Sequence, residues 1–254
     1  MIATCSLRDI VEYLTGYLRI SEIPDDPRAL NGLQVENSGS VTRIAAAVDA
    51  CQATIDRAGD IGADLMLVHH GLFWSGLEPV SGVHGRRIRS LVSRGIALYS
   101  AHLPLDCHLD VGNNVLLARR LGVTNLQPFG ESDGVRIGFA GDLSVDRAAL
   151  ASRIQSELGI APRVVATGPE RIRRIGIVSG AASSYLPSAA AAGLDTFLTG
   201  EGPHHTYLLA EELKINLVYA GHYATETLGV QALAAHLSER FHVPWEFLDH
   251  PTGM

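Results

Sequence analysis

The feature that most constrains what this chain can fold into is a repeated order of elements. A shift of about 131 positions places Ile44 on Ile175, Gly62 on Gly193, Asp64 on Asp195, Leu67 on Leu198 and Gly71 on Gly202. A shift of about 120 places Tyr99, His102 and Asp106 on Tyr219, His222 and Glu226. The offsets differ because the first copy carries an extra irregular loop near Phe73 to Gly82. Each copy runs strand, helix, Gly-x-Asp, strand and a polar pair, then strand and His-x-x-x-acid. Strands alternating with helices throughout predict an α/β fold with substantially parallel sheets. The chain therefore reads as two related α/β halves from an internal duplication, residues 1–128 and 129–254, with a site in the cleft between them.

The elements follow from local patterns. Ser6 can cap a first helix in which Leu7, Ile10, Val11, Leu14 and Leu18 fall at helical spacing. A loop with Pro24, Pro27 and Asn31-Gly32 follows. Next come a strand from Arg43 to Val48, a helix from about Gln52 to Ile61, and an apolar strand ending at His69. A helix to Arg94, a strand Ile96 to Ser100 and a helix from near Asn113 complete the first half. The second half is expected to hold strands at 135–141, 173–178, 196–199, 216–220 and 243–248. Its helices are expected at 145–158, 184–192, 203–213 and 225–241.

Composition removes several function classes. A net charge of −7 argues against duplex nucleic acid as a partner, because such binders neutralise phosphates with Lys and Arg. The clusters Arg86, Arg87, Arg89 and Arg171, Arg173, Arg174 read as solvated faces or subunit contacts. Three scattered cysteines, Cys5, Cys51 and Cys107, fit a reducing compartment and no disulfide framework. The N-terminal segment carries Asp9 and no long apolar core, so it is not read as a signal peptide. No stretch of about 20 strongly apolar residues occurs, which leaves a soluble cytoplasmic protein as the expectation.

The chemistry gathers at strand ends. His69-His70 closes the run Leu65-Met66-Leu67-Val68, and two adjacent imidazoles are a costly way to end a hydrophobic strand unless they bind something. His102 and His222 each follow a strand in Tyr-x-x-His-x-x-x-acid, and Glu201 falls on His70 under the longer shift. In open α/β sheets ligands bind beyond the carboxyl ends of strands, so these residues should converge on one rim. Asp106 and Glu226 lie four residues after a histidine, about 40° apart in azimuth from it if the turn is helical. His69, His70, Asp106, His222 and Glu226 are five donors, which suits two divalent cations roughly 3.5–4 Å apart better than one closed tetrahedral site. Imidazole and carboxylate without thiolate suit zinc, iron, manganese or cobalt. For Asp106 and Glu226 the plainer reading is helix N-terminal capping, and the paired histidines tip the balance.

The segments Asn31-Gly-Leu-Gln34, Ala47-Val-Asp49, Val68-His-His-Gly-Leu-Phe-Trp74, Ala101-His-Leu-Pro-Leu-Asp106, Gly112-Asn-Asn114, Thr199-Gly-Glu201 and Gly221-His-Tyr-Ala-Thr-Glu226 resemble the NGG-interacting-factor-three-like family. Its members are dinuclear metal-centre proteins labelled GTP cyclohydrolase I type 2 homologs. The resemblance spans essentially the whole chain. It implies that His69, His70, Asp106, His222 and Glu226 bind two metal ions, and that the assembly is a toroidal homohexamer, a trimer of dimers. Some relatives carry an extra domain between the halves, for which this chain is too short.

His102 has no place in that ligand set and reads as a proton-transfer residue or a support for the ligands, with structural hydrogen bonding a close rival. Glu201 reads the same way, as a base or supporting partner. Asn31 and Asp49 are read as lining the cleft, with turn formation and strand-end hydrogen bonding nearly as good an account. His204-His205 reads as a rim pair opening a helix; His84, His108, His236, His242 and His250 as structural or solvated. The expected activity is metal-dependent hydrolysis of a small substrate, phosphorylated or nucleotide-like. The rival readings are a non-catalytic ring-shaped regulatory assembly and a purely structural metal clamp.

Overall fold

Two carboxylates at matching positions of the repeat are held in the same way. The computed structural model describes residues 4–254. In it, Asp64 Oδ2 accepts from the amides of Thr42 (2.6 Å) and Arg43 (3.2 Å). Asp195 Oδ2 accepts from those of Arg173 (2.8 Å) and Arg174 (3.2 Å), the residues one repeat later. The preceding Gly62 and Gly193 both adopt φ near +70°, at 70° and 68°, where a side chain would be strained. Ile44 then pairs in register with Leu65, and Ile175 with Thr196. The expectation about the signal peptide falls partly on Met1–Ala3, which lie outside the described residues.

The chain forms two compact units. The first comprises the chain up to Leu105 together with Gly229–His250; the second comprises Asp106–Leu228 with Pro251–Met254. The first unit contains a five-stranded sheet in the order Trp245–Phe247, Ile44–Asp49, Leu65–His70, Ala97–Ser100, Gly32–Val35. Its first four strands are parallel and Gly32–Val35 runs antiparallel against Ala97–Ser100. Ile44, Ala45, Ala46, Ala47, Leu65, Met66 and Leu98 are wholly buried, as near-continuous apolar runs in a parallel sheet require. The helices Gln52–Asp60 and Gly82–Arg94 supply Ile55, Ala58 and Leu91 to the same core.

The second unit has a six-stranded mixed sheet: Thr124–Ser132, Val135–Asp146, Arg171–Ile177, Thr196–Thr199, Asn216–Tyr219, Arg163–Val165. The three strands from Arg171 to Tyr219 are parallel; the others run antiparallel. Leu117, Ile154, Ile172, Ile175, Ile177 and Leu198 fill a separate core.

The α/β class and most elements match the sequence reading, and the differences have local causes. The first helix is Leu7–Tyr17, with Ser6 Oγ accepting from the Asp9 amide at 3.4 Å. The strand expected to end at His69 continues through His70, which pairs with Asp49 across the ladder. Val135–Asp146 runs five residues past the expected end, because Val145 and Asp146 pair with Ile172 and Arg171 before the helix Arg147–Leu158 begins. The strands Gly32–Val35, Thr124–Ser132 and Arg163–Val165 were not expected. The second of these carries Pro128, and Asn125 and Gly130 at positive φ, and so looks like a loop in one dimension. The helix expected from Thr225 to Phe241 is interrupted at Glu226, giving His222–Thr225 and Thr227–Phe241. His236 is structural: it stacks on Tyr17 at 4.4 Å and pairs with the Tyr13 hydroxyl.

Candidate metal centre

The end of the strand Leu65–His70 carries the first donors. His69 is fully buried, and its Nδ1 donates to the Ala101 carbonyl at 2.9 Å. His70 is partly exposed, and its Nδ1 donates to Asp49 Oδ1 at 2.9 Å, Asp49 being the residue opposite it on the neighbouring strand. His102 follows the next parallel strand, and its Nδ1 faces Asp25 Oδ1 at 2.9 Å. The ligand atoms of His69, His70 and His102 lie within 4.8 Å of one another. Trp74 closes this cluster with its ring edge-on to His102 (4.9 Å between centroids, 82°) and to His70 (5.7 Å, 80°).

In the second unit His222 opens the short helix after the strand Asn216–Tyr219. Its Nδ1 donates to Glu201 Oε1 at 2.6 Å, and its Nε2 lies 3.2 Å from Glu226 Oε2, one turn onward. The pairs His70–His102 and Glu201–His222 are repeat equivalents, and each is an adjacent pair in its own unit. The hydrogen bond from His222 to Glu226, opposed by burial and reinforced by Glu201, pushes the imidazole up to about 9. Gly180, at φ +65°, stands where a Cβ would collide with the Glu226 carboxylate. Under the repeat it takes the place of Asp49.

Asp106 ends the helical turn Leu103–Asp106 and is 5% exposed. One of its oxygens, Oδ1, accepts from Asn113 Nδ2 at 2.8 Å and from the Ser179 hydroxyl at 3.1 Å. Asn114 bonds the Asp106 and Ile137 carbonyls and receives the Ser179 amide at 2.6 Å, locking this corner.

Four histidines share one device. Each has an oxygen acceptor on Nδ1; in neutral His69, His70 and His102 this makes Nδ1 the donor and leaves the lone pair on Nε2, whereas Nε2 of His222 faces Glu226 and offers a lone pair only once its proton is lost. That is the arrangement seen around metal-bound imidazoles, whose outer ring nitrogen is held by a carboxylate or carbonyl. The donor set fits divalent cations. Among the described residues no disulfide joins Cys5, Cys51 and Cys107, and no thiolate adjoins the histidines in either donor group.

Asn31 and Asp49, read from the sequence as cleft or turn and strand-end residues, both hydrogen-bond to this histidine cluster. Asn31 Oδ1 accepts from the His102 amide at 2.7 Å. Sequence reasoning missed Asp25, Ser179 and Gly180. Burial raises the Asp25 carboxyl, but hydrogen bonds from His102, Asn31 and the Leu103 amide outweigh this and hold it below its usual value. Asp25 sits in an aperiodic Pro-Asp-Asp-Pro loop, so its only sequence signal was the company of two prolines. Ser179 and Gly180 could have been found from the repeat, as the positions matching Val48 and Asp49. His204 is exposed and lines a cavity of about 440 Å³ with Arg163, Tyr207 and Tyr219. His84 is buried against Glu78, and His108 Nδ1 accepts from the amides of Asp110 and Val111.

The family model Duf34/NIF3 (NGG1p interacting factor 3) matches residues 5–252. A relative in Deinococcus radiodurans named GTP cyclohydrolase 1 type 2 homolog is 44% identical over 97% of this chain and 94% of its own length. One of the same name in Pyrococcus abyssi is 42% identical over 97% and 98%. Among solved structures, TTHA1606 from Thermus thermophilus superposes with a TM-score of 0.92 at 43% identity, covering 98% of this chain and 100% of that one. Reduced HcgD from Methanocaldococcus jannaschii gives 0.87 at 25% identity, covering 98% and 100%. The match is full-length and includes every segment that carries the histidines and carboxylates described above. The chain belongs to the Duf34/NIF3 family.

Proposed function

We propose that this chain is a dinuclear metal-binding protein working as a metal-dependent hydrolase on a small phosphorylated or nucleotide-like substrate. The observation that carries the reading is the common tethering of His69, His70, His102 and His222 through Nδ1, which leaves Nε2 as the atom each neutral ring can offer to a cation. Family membership and the repeated His-x-x-x-acid motif support His69, His70, Asp106, His222 and Glu226 as the ligands of two divalent cations. Bound there, such cations supply Lewis acidity and bring the pKa of a water towards neutrality.

The protein's own part is positioning and proton handling. Asn113 and Ser179 fix the Asp106 carboxylate, while Asp49 and Glu201 orient His70 and His222. His102, backed by Asp25, and Glu201 are the residues placed to hold or pass a proton. Trp74 shields the histidine cluster from water on one side. By the same family reasoning the working form is a homohexamer built as a trimer of dimers in the cytoplasm. Among the described residues no helix is long and apolar enough to cross a membrane.

The test is metal analysis of the purified protein, followed by phosphoesters, cyclic nucleotides and GTP assayed with and without chelator. Hydrolysis that returns on adding metal, and that disappears together with bound metal in Asp106→Asn, is the expected result. Full activity in Asp106→Asn would dispose of the mechanism. Silence across the panel with metals bound would leave a non-catalytic binding assembly.

A further inference from the structure

The loop that breaks the repeat encloses something of its own. The segment from Gly71 to Ser81 and the first turns of the helix Gly82–Arg94 surround a cavity of about 340 Å³, lined by Trp74, Ser75, Glu78, Ser81, His84 and Arg87 among others. That volume lies within the range of small-molecule sites, roughly 300–1,000 Å³. Its wall is tightly built. A Cβ at Gly85 would come 2.8 Å from the Val80 carbonyl oxygen, so loop backbone lies directly on the helix.

Two residues of the lining each carry a buried nitrogen with no acceptor among the described residues, Nε1 of Trp74 and Nε of Arg87. Leaving a buried donor unmade is costly, and a guanidinium more so. The one acid in the lining, Glu78, is already engaged by His84 Nδ1 at 3.3 Å, and Arg87 forms no ion pair among the described residues. The 13-residue helix whose start forms part of the wall has no acid in its first turn and no side-chain cap from Ser81. A cation, an indole N–H, hydroxyls and an uncapped helix start all complement one chemistry, a small oxyanion.

We infer that this cavity is an oxyanion-binding pocket, with Arg87 and Trp74 as its principal donors. Trp74 is shared: its ring also stands edge-on to His70 and His102, so the anion would lie one indole away from the histidine cluster. That the pocket seats the phosphate of the substrate rests on the proposed metal centre; the pocket itself does not. Of the arginines read from the sequence as a solvated face or subunit contact, Arg86 and Arg89 are exposed and Arg87 is partly buried.

The test titrates inorganic phosphate, pyrophosphate and malonate into metal-loaded and chelator-treated protein, by calorimetry and by fluorescence in a Trp245→Phe background where Trp74 is the only indole. Saturable binding in both metal states is expected. It should weaken by about tenfold or more in Arg87→Met, by less in Arg87→Lys, and by roughly three- to tenfold in Trp74→Phe. Arg86→Met should bind as the unaltered protein does. The phosphate and malonate arms tell a phosphoryl group from a carboxylate. An absence of saturable binding, equal binding in an Arg87→Met variant that melts normally, or binding that vanishes on chelation would each overturn the inference. Metal content, measured on the same samples, reports separately on the proposed centre.

Discussion

At the scale of single residues, the centre depends on atoms that touch no ligand. Asp49 holds Nδ1 of His70, and removing such a partner typically lowers metal affinity by about 10–100-fold. Asp49→Ala should therefore fold normally yet lose metal to a chromophoric chelator at correspondingly lower chelator concentration; unchanged affinity would show that the tether is ornamental. Gly180 is required twice over, for its φ of +65° and for the space the Glu226 carboxylate occupies. Gly180→Ala should cost roughly 1–3 kcal/mol of stability and reduce the number of metal ions bound per chain. Asp25 offers a pH test. Its carboxyl is held below the ordinary 3.8, so the stability it contributes is present above that value and is lost as pH falls through the lower folded-state value. The acid limb of melting temperature against pH should be shallower in Asp25→Asn than in the unaltered protein.

At the scale of elements, the duplication is a set of repeated hydrogen bonds as well as a repeated order. Asp64 gathers the two amides just before the strand Ile44–Asp49, and Asp195 the matching two amides within the strand Arg171–Ile177. Asp64→Ala and Asp195→Ala should each cost about 1–3 kcal/mol in urea unfolding, with similar values in the two halves. A large cost in one and none in the other would mean that the repeat is no longer used alike. The differences between the halves are also informative. Where the first unit pairs His70 with His102, the second pairs Glu201 with His222, so an imidazole has been exchanged for the acid that now orients its neighbour.

At the scale of the whole molecule, each unit has its own buried core, one around Ile55, Met66 and Leu98 and the other around Ile154, Ile175 and Leu198. Metal is therefore not expected to be what makes the chain fold. Adding cation at about 100 times its dissociation constant should raise stability by about 2.7 kcal/mol, and chelation should return the melting temperature to its metal-free value with circular dichroism at room temperature unchanged. Unfolding on chelation would instead support a structural clamp.

Much of this was legible in one dimension, for a physical reason. Parallel strands buried on both faces must be apolar along their length, so Leu65–Val68 and Ile44–Val48 announce themselves, and a histidine pair ending such a strand is conspicuous. The repeat of Gly-x-Asp and His-x-x-x-acid then pointed to His102, Glu201, His222 and Glu226 as candidates beside that pair. Tertiary structure decided what spacing does not encode. Asp25 reaches His102 from 77 positions away, and Ser179 reaches Asp106 from 73. Edge strands such as Thr124–Ser132 owe their form to a partner rather than to their own pattern. The cavity lined by Trp74 and Arg87 forms where an aperiodic loop meets the start of the helix Gly82–Arg94. Local periodicity reports which face a segment buries; which distant atom waits at that face is settled only when the chain closes.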